Sequence, residues 1–288
     1  MKKIISLALC ALVLVSCFAF ASCGDETIIV QTNAFFAPFE YYNGTEIVGV
    51  DVEIMNMVGE RLGKDIEFKN VEFAAIIDNV SNGTTCDAGA AGITITPSRQ
   101  EKVAFSIPYY TSIQYVILPA NHSFETRTGI TGEYIVWEAL AGKAIGTQLD
   151  TTGWIYTDGE INATEADEDY GYDGVLYGTN TEHKAYENAQ LAADGILNNK
   201  VDCVIIDELP AQYIVSKNSG LVCLPLYYSG NTQAEDAPVQ EDYAICVNKN
   251  NTELLEAINA VLESLINDKD ASGVNAIERM VMQHMGMN

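Results

Sequence analysis

The residues best suited to chemistry lie in the stretch Ala91-Gly92-Ile93-Thr94-Ile95-Thr96-Pro97-Ser98-Arg99. Small apolar residues over 87–92 read as a strand running into a loop, and a helix begins at about Thr96 with Pro97 in its first turn. A helix start offers free N–H groups and a partial positive charge to an anion. Thr94 adds a hydroxyl. Arg99 can grip a carboxylate through two parallel hydrogen bonds, which a lysine cannot. By residue type alone an arginine on a helix is a solvated charge. Its position after this loop makes it a candidate for holding a small carboxylate.

Asp207 closes the apolar run Cys203-Val204-Ile205-Ile206. The carboxyl end of a buried strand is where a crevice opens in an α/β sheet. There the carboxylate either holds an ammonium through charge-assisted bonds or caps the helix that starts at Glu208. The aromatic loop Asn33-Ala34-Phe35-Phe36-Ala37-Pro38-Phe39-Glu40 follows the first strand; Phe36 is expected to wall the crevice and Phe39 to join the core. The segment Gly146-Thr147-Gln148-Leu149-Asp150-Thr151-Thr152-Gly153 also follows a strand. It carries hydroxyls and backbone donors but lacks the lysine of a phosphate loop, which excludes a nucleotide site of that type. Its plain alternative is a strand-to-helix turn.

Signs of catalysis or metal binding are absent from the pattern. His122, His183 and His284 lie outside these segments. Cys86, Cys203, Cys223 and Cys246 show no CxxC or metal spacing. Each sits in an apolar run and reads as a small buried hydrophobe, with Cys203 and Cys223 able to pair if their strands are neighbours. No catalytic residue, metal or cofactor is expected.

The elements that must position these groups alternate. Strands are expected at 27–32, 66–68 and 87–92, with helices over 52–62 and 73–80; the first helix carries an acidic cap and stops at Gly63. The pattern recurs with strands at 144–146, 202–206 and 221–226 and helices over 183–197 and 208–216. A strand over 243–247 and helices over 253–266 and 274–285 follow. This describes two α/β units with largely parallel sheets. The acidic, Gly- and Tyr-rich stretch 156–177 and the segment 229–242 read as solvated surface loops.

The N-terminus reads as an address. Lys2 and Lys3 precede an apolar run over 4–20 and then Ala21-Ser22-Cys23-Gly24, the shape of a secretory signal. Residues 1–22 are expected to be removed and Cys23 lipidated; Leu14-Val15-Ser16-Cys17 also fits such a box. About 265 residues remain, enough for two domains. With 40 acidic against 15 basic residues and a net charge of −25, nucleic acid and anionic surfaces are excluded as partners.

Taken in order, TNAFFAPFEY, IVGVDVEIMNMVGERLGK, EFAAIIDNVSNG, AGITITPSRQEKVAFSIPYYTS, IGTQLDTTG, VDCVIIDELPAQYIV and EDYAICVNKNNTELLEAINAVLESL resemble the family-3 solute-binding proteins, the amino-acid receptors of ABC importers. That resemblance implies a periplasmic-binding-protein-like type II α/β fold of two Rossmann-like lobes joined by a two-strand hinge. Lobe 1 would be 27–112 with 239–288, and lobe 2 would be 113–238. The crossing strands would lie near 110–114 and 239–243. The resemblance further implies that Arg99 binds a ligand α-carboxylate, helped by Thr94 and the backbone at Thr152. Asp207 would bind the α-ammonium with the Gly92 carbonyl and the Thr94 hydroxyl. Phe36 and Phe73 would flank the side chain, Ala91 and Thr151 would complete the walls, and Asn33 and Gln148 would read the side chain. Both readers are neutral amides, so a neutral ligand is expected. The implied partners are a small amino acid and ABC permease subunits. The implied place is extracytoplasmic, at the outer face of the cytoplasmic membrane or in the periplasm, held by a lipid anchor. The alternatives are a dehydratase of cyclic carboxylic acids on the same scaffold, or a binder of another small carboxylate.

Overall fold

A computed structural model describes residues 27–164 and 172–286. The expected signal segment, Cys17 and Cys23 lie outside the described residues.

The chain enters as β1 (Ile28–Thr32), followed by a small antiparallel sheet of β2 (Phe35–Phe36), β3 (Glu40–Asn43) and β4 (Glu46–Val48). Helix α1 (Val50–Leu62) comes next, then β5 (Ile66–Asn70), α2 (Phe73–Asn82), β6 (Ala88–Gly89), the single turn α3 (Pro97–Gln100) and β7 (Ala104–Phe105). In the first main sheet β1 pairs in parallel with β5 and β6. Val50, Ile54, Met55 and Val58 of α1 are wholly buried, which follows from their i, i+4 spacing on one helix face. The expected acidic cap of this helix is a correction. Gly49 occupies the cap position with no side-chain bond, and Asp51 turns inward instead.

The long strand β8 (Tyr110–Pro119) leads to β9 (Arg127–Gly129), β10 (Gly132–Val136), β11 (Ala144–Gln148), α4 (Thr152–Asn162), β12 (Glu182–Tyr186), α5 (Ala189–Leu197), β13 (Cys203–Asp207), α6 (Glu208–Lys217) and β14 (Leu221–Tyr228). These strands form a second main sheet in the order β12-β11-β13-β8-β14-β10-β9. It is covered on both faces: Cys203 and Ile205 pack with Val116 and Leu118, while Val204 and Ile206 join Ile117 in another cluster. Burial on both faces is why the run CVII reads as continuously apolar rather than alternating.

Three further expectations give way here. The segment 183–197 is not one helix: its first part is β12, paired in parallel with β11, and Asn188 caps α5 by accepting from Leu191 N. The stretch 156–177 is not wholly a loop, since α4 runs to Asn162, and Leu176 is buried while Val175 N donates to Glu160 Oε2 at 2.9 Å. Cys203 and Cys223 stand on strands that flank β8 on opposite sides. The intervening strand forbids a disulfide, and the four described cysteines are free.

The return is made by β15 (Ala237–Pro238), β16 (Gln240–Tyr243) and β17 (Cys246–Val247), then α7 (Thr252–Asn267) and α8 (Ala276–His284). β17 enters the first main sheet between β6 and β7. β16 pairs antiparallel with the first half of β8, from Tyr110↔Tyr243 to Ile113↔Gln240, whereas the second half of β8 belongs to the second sheet. The chain therefore passes between the two sheets on one antiparallel strand pair.

Candidate functional site

The loops at the carboxyl ends of β1, β6, β11 and β13 converge on one narrow cavity. All eleven residues singled out in the sequence line it: Asn33, Ala91, Gly92 and Thr94 from loops, Phe36 from β2 and Phe73 from α2 around the first sheet, Arg99 from α3, and Gln148, Thr151, Thr152 and Asp207 from the second. Glu40, which the sequence reading gave no role, lines it as well.

Arg99 is held from both sides. Thr96 caps its helix by accepting from Arg99 N at 3.2 Å. The guanidinium donates to Thr94 O at 2.8 Å and, across the cavity, to Asp150 O at 2.7 Å. It lies 5.4 Å from the centroid of the Phe73 ring, a cation–π distance. Phe73 thus positions the arginine besides walling the cavity. Burial lowers the affinity of Arg99 for its proton, and the acidic groups Glu241 and Asp207 oppose that.

Gly92 has φ +53°, and a Cβ there would fall 2.6 Å from Phe36 Cε1. Its N–H donates to Asp51 Oδ2 at 3.0 Å, and Tyr109 donates to Asp51 Oδ1 at 2.5 Å. Burial raises Asp51 to about 6 despite these two bonds. Phe39 and Phe36 divide as expected: Phe39 packs edge-on against Tyr110 and Tyr243 and is wholly buried, and Phe36 faces the cavity.

Asp207 stands at the N-cap position of α6 but makes no capping bond. Its Oδ1 accepts from Tyr243 at 2.6 Å and from Gln114 Nε2 at 3.2 Å. Burial and then the neighbouring Glu241 push its carboxyl well up. The turn at 151–152 opens α4, with Thr151 accepting from Trp154 N at 3.3 Å. Gln148 Nε2 donates to Asn33 Oδ1 at 3.0 Å, and Asn33 Nδ2 donates to Val71 O at 2.7 Å.

Glu40 is wholly buried, and among the described residues no N–H or hydroxyl donates to either of its oxygens; its hydrogen-bond contact is with the carboxyl of Asp51. Burial, then the charges of Asp51 and Asp207, push its carboxyl well up. A buried acid without a donor is costly, and this one borders the cavity. The signal for it was available: a lone acid between aromatics in APFEYY, right after the crevice loop.

These features match a known group. The description "bacterial extracellular solute-binding proteins, family 3" fits residues 28–275. The chain belongs to this family. The arginine-binding extracellular protein ArtP of Bacillus subtilis is 24% identical over 86% of this chain and 88% of its own. The putative ABC transporter arginine-binding protein 2 of Escherichia coli is 26% identical over 93% and 95%. A solved structure of an ancestral arginine-binding protein bound to glutamine is 27% identical, with a TM-score of 0.69 over 90% of this chain and 98% of that one. This solute-binding protein has the type II fold of its relatives, and it is a binding protein rather than an enzyme. No described helix is long and apolar enough to cross a membrane.

Proposed function

We propose that this chain is the receptor of an amino-acid ABC importer and that its ligand is a basic L-amino acid. The observation that carries the ligand class is Glu40, a buried carboxyl at the cavity wall that meets another acid, Asp51, and receives no N–H or hydroxyl donor among the described residues. Arg99 is the only cation among the lining residues, which include the acids Glu40 and Asp207, while Asp51 and Glu241 are buried beside the lining residues Gly92 and Thr94. Burial and mutual repulsion hold these carboxyls toward their neutral forms, and a second cation on the ligand allows one more of them to ionise.

In this reading Arg99 and the backbone at Thr152 hold the α-carboxylate. Asp207, the Gly92 carbonyl and the Thr94 hydroxyl hold the α-ammonium, and the side chain lies between Phe36 and Phe73 with its cation toward Glu40. Relatives named as arginine-binding support the class. The neutral ligand expected from Asn33 and Gln148 remains the second reading, because those amides line the cavity and one ancestral relative is bound to glutamine. Capture proceeds by closure of lobe 1 (27–112 with 239–288) on lobe 2 (113–238) about the β8–β16 pair. Ligand shifts the open–closed balance because contacts from both lobes exist only when closed. Delivery is to a permease from the outer face of the cytoplasmic membrane, with residues 1–22 removed and Cys23 lipidated.

A thermal-shift screen of the mature protein against the twenty amino acids tests this, since a ligand of the folded state raises the melting temperature. Shifts with arginine, lysine or histidine are expected. A shift with neutral amino acids alone overturns the basic-ligand reading, and no shift at all overturns the amino-acid reading.

A further inference from the structure

The hydroxyls of Thr94 and Thr152, one beside each sheet, meet at a single carboxylate that does not line the cavity. Glu241 stands on β16 and is 4% exposed. Its Oε2 accepts from Thr94 Oγ1 at 2.6 Å and also from Thr152 Oγ1, and its Oε1 accepts from Gln114 Nε2. A hydroxyl has one proton and two lone pairs. With both protons directed at Glu241, each threonine turns only lone pairs toward the cavity. The two hydroxyl oxygens are 3.4 Å apart, within hydrogen-bond reach of each other, but the shorter contacts to Glu241 take both protons.

We propose that Glu241 is a positioning residue that fixes Thr94 and Thr152 as hydrogen-bond acceptors, making this end of the cavity specific for a ligand ammonium. The assignment rests on reading the cavity as an amino-acid site. Gln114 holds the arrangement in place. Its Nε2 donates to both Glu241 and Asp207, while its Oε1 has no partner among the described residues. An amide nitrogen has two protons, and here two carboxylates take them. A neutral amide in place of Glu241 carries its own N–H₂, which must face either Gln114 Nε2 or the two hydroxyls. In the first case two donors collide. In the second the threonines become acceptors from residue 241 and turn their protons into the cavity, where they repel an ammonium.

The test compares L-arginine with 5-guanidinopentanoic acid, the same molecule without the α-amino group, by calorimetry on wild type and Glu241→Gln. If another amino acid binds tighter in the screen, it and its des-amino acid form the pair. In wild type, loss of the amino group is expected to weaken binding roughly 100-fold. In Glu241→Gln that ratio falls to about tenfold or less, through weaker binding of the amino acid alone. A ratio unchanged from wild type overturns the proposal. Thr152→Val serves if Glu241→Gln does not fold: about tenfold weaker binding of the amino acid with little change for the des-amino acid is expected, and equal losses for both overturn the proposal. Wild type that binds no amino acid overturns the underlying reading and this proposal with it, whereas binding with an unaltered ratio overturns this proposal alone.

Discussion

Gln148 and Asn33 are bonded to each other: the amide of one donates to the carbonyl of the other at 3.0 Å across the cavity. The remaining proton-bearing side of Asn33 is committed to Val71 O. An aspartate at position 33 would set an oxygen against that carbonyl. Asn33→Asp is therefore expected to destabilise the protein by about 1–3 kcal/mol, measured by urea unfolding, rather than to create a better site for a basic ligand.

Glu40 should behave in the opposite way. Glu40→Gln replaces a desolvated acid beside Asp51 with a neutral amide that can still donate to Asp51, so the ligand-free melting temperature should not fall. Affinity for a basic amino acid should drop by about tenfold to 100-fold, as for loss of a charged hydrogen bond. Affinity for neutral amino acids should be unchanged. Calorimetry with both classes reads the two effects separately, and equal losses for both would remove Glu40 from the site.

Gly92→Ala tests the backbone of the site. The residue has a positive φ, and the new methyl would meet Phe36 at 2.6 Å. Both the conformational strain and the displaced ring act against it. Ligand affinity should fall by about tenfold or more, with a stability loss of about 1–2 kcal/mol. Wild-type affinity in this variant would mean that Phe36 does not wall the ligand.

Asp51 makes stability depend on pH in a defined direction. Its folded-state value is raised from 3.8 to about 6, so the folded protein holds this proton more tightly than the unfolded chain. The contribution is complete below pH 4 and is lost as pH rises through about 6, with an upper bound near 3 kcal/mol. Asp51→Asn should flatten the fall in stability between pH 4 and pH 7, followed by denaturant titration at each pH. A slope equal to that of wild type refutes the assignment.

Arg99→Lys is not a conservative change here. The guanidinium spans Thr94 O and Asp150 O while lying over Phe73, a geometry that a point ammonium cannot reproduce. Arg99→Lys and Arg99→Ala are both expected to weaken ligand binding by about tenfold or more. Near-wild-type calorimetric affinity for the lysine variant would show that only charge matters at this position.

The cavity walls were legible because they sit at strand ends, where a change from apolar run to Gly, Thr or Asp is visible in a single sequence. Arg99 and Asp207 stood out in this way. Glu40 was passed over although APFEYY shows a lone acid between aromatics, because its inward turn comes from the pairing of β3 with β2 and β4, strands too short to leave a periodic trace. Glu241 was invisible for another reason: β16 is four residues long, and only its pairing with β8 turns a surface-like QEDY inward at alternate positions. β12 was taken for helix because EHKAY is short and adjoins the alanine-rich α5; its membership of the sheet is set by β11, about 35 residues away. Local propensity lost to tertiary pairing there.

The insertion of β17 between β6 and β7 has a consequence for how the polypeptide is made. Strands β1, β5 and β6 of the first sheet all precede residue 90, yet the strand that joins them to β7 is Cys246–Val247. During N-to-C synthesis or threading through a pore, the stretch from β8 to β14 is complete earlier and contains its own paired strands. The sheet begun first can be closed only when nearly the whole chain has emerged. Until then β6 has an unfilled edge, a template for pairing with other chains. The region that begins the molecule is thus the last to finish, and its exposure time is set by the length of the segment inserted within it.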